Sequence, residues 1–145
     1  MGDVVLREVV ASDLPVLFEQ QRDPASHRMA AVAPRERDAF MERWATILAD
    51  PTVFVRTIVF EGQVAGHVVS WESDGRHLVG YWVGRDLWGK GIASRALAAM
   101  LRAVDKRPLH AHVAKTNAAS LRVLQKQGFE IVAESKVPFG APGEE

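Results

Sequence analysis

Gly84-Arg85-Asp86-Leu87-Trp88-Gly89-Lys90-Gly91-Ile92-Ala93-Ser94 joins a strand-like run, Leu78 to Val83, to a helix-like run, Ile92 to Val104. Glycines at a strand-to-helix junction have two physical uses. They allow backbone angles that other residues resist. They also bare the N–H groups of a helix N-terminus, where the orphan donors and the dipole favour an anion. A plain turn with no ligand is the alternative at this point, because a lone glycine-rich motif is a weak signal.

Upstream of this stretch, three strand-like runs are separated by short turns. They are Val53 to Phe60, Val64 to Trp71 and His77 to Val83, with Glu61-Gly62 and Ser73-Asp74-Gly75 between them. Links this short make neighbouring strands antiparallel. Further back, Val4 to Val10 reads as a first strand, and Ser12 as the N-cap of a helix that Arg22-Asp23-Pro24 stops. Ala25 to Ala33 suits a short helix. After Pro34, Phe40, Met41, Trp44, Ile47 and Leu48 recur at helical spacing until Asp50-Pro51. Downstream, Leu109 to Ala114 is a strand, Asn117 caps a helix that Gly128 stops, and Phe129 to Ala133 is a last strand.

The expected order is therefore β-α-α-β-β-β-α-β-α-β. It describes an α+β fold, a mixed, mostly antiparallel central sheet with helices on both faces. Only the strands flanking the long helix need be parallel, through a right-handed crossover. Residues 1–137 are expected to form one domain and residues 138–145, rich in Pro and Gly, a loose tail.

Composition narrows the function. At 145 residues the chain is long enough to bury a real core. Eighteen Lys plus Arg balance 18 Asp plus Glu, which gives no reason to expect a nucleic-acid partner. The absence of cysteine excludes disulfides, thiolate metal sites and a cysteine nucleophile, and it fits a cytoplasmic protein. Met1 to Leu6 carries an acid and no long apolar run, unlike a signal peptide, and no window reaches the length of a membrane span. No His/Asp/Glu spacing suggests a metal site.

Three ligands compete for the glycine stretch. Gly84 through Lys90 nearly spells a nucleoside-triphosphate loop, but Gly91 stands where Ser or Thr should hold magnesium. A dinucleotide fingerprint fails too. Ser94 replaces its third glycine, the preceding strand ends a meander, and no acid lies about twenty positions on.

The third fits. Trp88-Gly89-Lys90-Gly91-Ile92-Ala93 resembles the acyl-coenzyme A loop of the GNAT acetyltransferase superfamily, Arg/Gln-x-x-Gly-x-Gly/Ala, with Trp88 in the first position. Gly80-Tyr81-Trp82-Val83 before it is similar to the branch that acetylates ribosomal-protein N-termini. Asn117-Ala118-Ala119-Ser120, then Gly128-Phe129, resembles the family's Asn-x-x-Ser helix and its exit. The resemblance spans about Val4 to Ala133.

What the resemblance implies is direct attack of an amine on acetyl-coenzyme A, with no covalent acyl-enzyme and no metal. The acceptor is an amine on a protein N-terminus or a small metabolite. Backbone from Trp88 through Gly89, Lys90, Gly91, Ile92 and Ala93 to Ser94 would hold the pyrophosphate, with Lys90 or Arg95 adding charge. Tyr81, Trp82 and Val83 would splay from Leu109–Ala114 to admit the pantetheine arm, and an N–H near Val83 would polarise the thioester. Asn117 and Ser120 complete the cofactor site, with Ser120 near the leaving sulfur. The family's usual tyrosine is replaced by Leu124, and the branch's glutamate by Leu78. Glu72 and His112 are the local candidates for proton transfer. A strand-end Glu is also an ordinary turn residue, and a strand His an ordinary packing residue. A non-catalytic acyl-coenzyme A sensor is the alternative from another class. Without a closing strand after Ala133, the sheet edge suggests homodimerisation near Phe129 to Ser135.

Overall fold

A computed structural model describes residues 3–22, 36–113 and 117–131. Five strands form one sheet in the order β1-β2-β3-β4-β5. They are β1 (Val4–Arg7), β2 (Phe54–Phe60), β3 (Gln63–Ser73), β4 (Arg76–Val83) and β5 (Leu109–His110). The helices are α1 (Leu14–Arg22), α2 (Arg37–Ala49), α3 (Ile92–Ala103) and α4 (Ala118–Lys126). Neighbouring strands are antiparallel except β4 and β5, which are parallel and joined through α3. This is the mixed, mostly antiparallel sheet expected from the order of elements.

The two tight hairpins follow from their turn residues. Glu61 and Gly62 have φ of 51° and 79°, and Asp74 and Gly75 have 52° and 78°. Paired positive φ angles match the twist of the strands they join, and Gly accepts them at no steric cost. At the other end of the chain, Gly128 (φ 96°) stops α4, and Phe129 N–H bonds back to Leu124 O at 3.0 Å.

Alternation along the strands gives the sheet two apolar faces. One face, Ile58, Val68, Val79 and Val83, packs on Ile92, Leu97 and Met100 of α3 and Leu124 of α4. The other, Val55 and Val69, packs on Leu17 and Phe18 of α1 and Phe40, Trp44 and Ile47 of α2. Ile92, Ala96, Leu97 and Met100 fall on one stripe of α3 and are at most 1 % exposed. Each large side chain there stabilises the fold by about 1.5–3 kcal/mol.

Three expectations need correction. Ser12 caps nothing. The turn before α1 is held by Asp13, whose carboxylate accepts from Val10 N–H, from Thr57 Oγ1 (2.8 Å) and from both terminal nitrogens of Arg7. The acid outcompetes the neighbouring hydroxyl because Arg7 and Thr57 stand opposite each other in the sheet and converge on it. Second, β5 spans Leu109–His110 and Ala111 to Val113 do not continue it, because the β4/β5 ladder ends at Leu78 and His110; Ala114 lies outside the described residues. Third, Phe129 to Ile131 forms no strand. Val132 and Ala133, the helix expected at Ala25–Ala33, the restart at Pro34 and the 138–145 tail lie outside the described residues.

Candidate active site

The ladder between β3 and β4 fixes where the backbone of β4 points. Gly84 N–H donates to Ala65 O at 2.8 Å. Antiparallel ladder bonds recur at every second residue, so Trp82 also faces β3, while Tyr81 and Val83 turn their N–H and C=O groups toward the β5 side. There β5 pairs only with His77 and Leu78. Among the described residues no strand pairs with Tyr81 to Val83 on that side, so they border a gap in the sheet. Trp88 Nε1 fills one position by donating to Val83 O at 2.8 Å.

On its other side this end of β4 packs tightly against β3. The register between β2 and β3 slips between Ile58 and Val59, which leaves Ala65 as an extra residue beside Gly66. A Cβ built on Gly66 would lie 1.8 Å from Trp82 O. Only glycine admits β4 so close at this point. Gln20 of α1 buttresses the same end of the sheet. Its Nε2 donates to Val64 O (3.3 Å), and a Cβ on Gly84 would meet it at 3.0 Å.

Beyond Gly84 the chain makes a short 3-10 turn, Arg85–Leu87, and enters α3 through two left-handed glycines. Gly89 has φ 81° and Gly91 φ 74°. Nothing lies within 4 Å of a Cβ at either position, so conformation and not crowding demands glycine there. Gly91 caps α3 without a side-chain hydrogen bond. The N–H groups of Ile92, Ala93 and Ser94 thus lead the helix with no capping side chain, the arrangement that suits an anion. Arg95 folds back on this loop, its guanidinium donating to Lys90 O (3.1 Å) and Gly91 O (3.3 Å). Lys90 is exposed at the tip.

Across the gap stands α4. Asn117 is its N-cap, with Oδ1 accepting from Ser120 N at 3.2 Å. Ser120 Oγ lies 2.6 Å from Tyr81 Oη. Tyr81 shares its face of β4 with Val79 and Val83, the face covered by α3 and α4. Burial pushes its phenol above the ordinary value, and the Ser120 hydrogen bond opposes that rise. Leu124, one turn further along α4, is 5 % exposed and belongs to the core.

The residues proposed for proton transfer are scattered. Glu72 pairs with His77 at the hairpin end of β3 and β4, on the order of 13 Å along the strand from Tyr81. His112 is exposed, two residues past β5. Leu109, Ala111 and Val113 pack against the α3/α4 core, and alternation within β5 turns His110 to the opposite face of the sheet. On that face Trp82 stands beside His67, its cross-strand partner. The His67 ring meets Trp44 edge-on at 4.9 Å, and burial pushes its pKa down to about 4. Trp82 Nε1 is buried with no partner among the described residues. Leu78, in the place of the branch's glutamate, is 5 % exposed and pairs with Trp71 and His110.

Against known proteins, a sequence profile described as "Acetyltransferase (GNAT) domain" matches residues 3–130. The chain belongs to the GNAT acetyltransferase family. Solved structures agree on the fold of this GNAT domain. A domain from Methanocaldococcus jannaschii DSM 2661 superposes with a TM-score of 0.80 at 17 % identity, covering 94 % of each chain. An acetyltransferase from Thermus thermophilus gives 0.76 at 19 % identity, over 89 % of this chain and 88 % of that one. The aminoglycoside acetyltransferase AAC(6')-Ib, in complex with coenzyme A, gives 0.74 at 20 % identity, over 88 % and 84 %. No curated protein matches the sequence.

Two features of the GNAT domain escaped the sequence. The spacing of Tyr81 and Ser120 in the chain hides their contact, though the shared parity of Tyr81, Val79 and Val83 marks the face Tyr81 takes. The indole of Trp88 replaces the first Arg or Gln of the loop signature and clasps the strand instead of reaching outward. Among the described residues no group of three or more His, Cys, Asp or Glu could hold a metal ion. No helix among them is long and apolar enough to cross a membrane.

Proposed function

We propose that this GNAT domain transfers an acetyl group from acetyl-coenzyme A to a primary amine by direct attack. The observation that carries the reading is the gap beside Tyr81 to Val83, which opens next to the uncapped N-terminus of α3. The two suit the two halves of the cofactor. Backbone N–H groups from Trp88 to Ser94 would hold the pyrophosphate, and the N–H and C=O groups of Tyr81, with Val83 N–H, which face the β5 side, would pair with the amide-bearing arm. Asn117 would keep α4 in place beside that arm through its cap. The cofactor would supply the activated acetyl group.

The chain's own contribution is positioning. Holding amine and thioester in line removes the entropy of a bimolecular encounter, worth about 7–11 kcal/mol in well-aligned cases. Ser120, whose Oγ lies 2.6 Å from Tyr81 Oη beside the gap, would meet the leaving sulfur. Glu72 and His112 remain candidate proton carriers of this reading. The Gly80-Tyr81-Trp82 and Trp88-Gly89-Lys90-Gly91 runs support a protein N-terminus as acceptor, and a small-molecule amine is the alternative. The cysteine-free composition supports a cytoplasmic setting. Homodimerisation near Phe129–Ser135 belongs to the same reading, supported by Ile131, 61 % exposed next to the end of α4.

The second reading, a coenzyme A-binding sensor without turnover, is favoured by one observation. Leu78 and Leu124, at the positions where acid–base groups are customary, are both core residues.

Calorimetry with acetyl-coenzyme A, coenzyme A and ATP tests the site. Binding of the first two without ATP is expected, and tight ATP binding without coenzyme A would sink the assignment. Release of free thiol with N-terminal peptides, polyamines or aminoglycosides separates enzyme from sensor. Silence across the panel selects the sensor. A monomeric mass in solution at high concentration removes the dimer.

A further inference from the structure

The side chain that keeps Ser120 in place comes from β4. Tyr81 Oη lies 2.6 Å from Ser120 Oγ and 3.5 Å from Ser120 O, joining the open end of the strand to the first turn of α4. Asn117 fixes Ser120 N from the other side. A serine hydroxyl rotates freely unless a partner settles its proton, and it offers one donor and two acceptor positions. A phenol within hydrogen-bond reach can settle it. When Tyr81 donates, Ser120 keeps its own proton for a third group. Tyr81 is the only tyrosine in the chain, and Leu124 fills the position on α4 where the family's acid is customary.

We infer that Tyr81 is a positioning residue for the departing thiolate, orienting the Ser120 hydroxyl so that its proton points into the gap. The inference rests on the coenzyme A reading above. As the amine nitrogen bonds to the acetyl carbon, the carbon–sulfur bond breaks and its electron pair goes to sulfur. Ser120 Oγ–H donates a hydrogen bond to that sulfur, and Tyr81 Oη–H donates to Ser120 Oγ. The amine gives its surplus proton to water, and the thiolate takes one from water. Burial keeps the phenol protonated at neutral pH, so Tyr81 stays a donor throughout.

A single tyrosine allows a direct readout. With ¹³Cζ-labelled tyrosine the protein gives one resonance, sensitive to the hydrogen bonding of Tyr81 Oη. Coenzyme A is expected to move that resonance, desulfo-coenzyme A to move it distinctly less, and Ser120→Ala to erase the difference. In turnover, Tyr81→Phe should lower kcat about tenfold with KM for acetyl-coenzyme A unchanged, the size of one lost hydrogen bond in the transition state. The double variant Tyr81→Phe/Ser120→Ala should be no slower than Ser120→Ala alone, and Ser120→Thr should retain most of the rate. Equal shifts with both ligands, additive losses in the double variant, or an effect confined to KM would overturn the inference while leaving cofactor binding intact. If calorimetry shows no coenzyme A binding, the coenzyme A reading falls and this inference with it.

Discussion

The two faces of the sheet are built on different principles. On the α3/α4 side, local backbone geometry shapes the candidate site: two left-handed glycines, a helix start without a capping side chain and a strand end that pairs with no strand on its β5 side among the described residues. On the α1/α2 face, side chains converge from far apart in the chain. Arg7, Thr57, His67 and Trp82 form one cross-strand row over four strands. Asp13 binds Arg7 and Thr57, while Trp44 covers His67. A cofactor whose polar parts are phosphates and amides can be met by backbone alone. Polar side chains brought together across the sheet, as on the α1/α2 face, depend instead on the identity of each residue.

The comparison breaks most visibly at Gly66, which serves both faces. Gly66→Ala places a methyl against Trp82 O and should destabilise the protein by about 3 kcal/mol, read from urea unfolding. An unchanged midpoint would mean that the strand end can yield.

Asp13→Ala comes next and touches only the α1/α2 face. It removes a buried acceptor from donors of three residues, Arg7, Val10 and Thr57, which should cost about 2 kcal/mol in the same assay. Acid should act on the same face. The Arg7 guanidinium holds the Asp13 carboxyl down to about 2, against an ordinary value of 3.8. A depressed folded pKa contributes stability above the unfolded value, and this is lost as pH falls from about 4 through 2. Arg7 is 40 % exposed, so solvent screening keeps this contribution under about 2 kcal/mol. His67 acts in an earlier window. Its pKa falls from 6.5 to about 4, so the unfolded chain binds the extra proton and stability declines as pH drops between those values. His67→Phe should flatten the stability profile between pH 6.5 and 4 and leave the lower step in place.

On the other face, Gly91→Ala should destabilise by about 1–2 kcal/mol through its left-handed φ alone. Gly91→Val adds bulk at the helix start and should also abolish coenzyme A binding in calorimetry. Normal binding would remove the loop from the site. The smallest effect is expected from Trp88→Phe, which frees Val83 O and should cost about 1 kcal/mol.

What could be read from the sequence follows the same division. The hairpins at Glu61-Gly62 and Asp74-Gly75, the glycine entry to α3 and the stop at Gly128 are local, and each was legible from a few adjacent residues. Asn117 as a cap was legible for the same reason. Gly66 was not, because its clash arises only after β2 and β3 slip in register and β4 closes on them. Ser12 misled because a hydroxyl in the right place looks like a cap until Arg7 and Thr57 bring charge and a donor to Asp13. The short β5 was hidden in apolar residues that alternate through Val113 as a strand would, although the pairing with β4 ends at His110. Tyr81 and Ser120 meet through the tertiary fold alone.

On the coenzyme A reading, the open end of β4 would also tie the protein's fate to its surroundings. A strand end with unpaired groups is the least protected part of a sheet, and a ligand laid along it binds the folded chain and not the unfolded one. At a hundred times its dissociation constant, such a ligand adds about 2.7 kcal/mol of stability. The cell's supply of that ligand would then set how long the folded chain survives proteolysis. A domain with this gap would be long-lived when the ligand is plentiful and cleared when it is scarce.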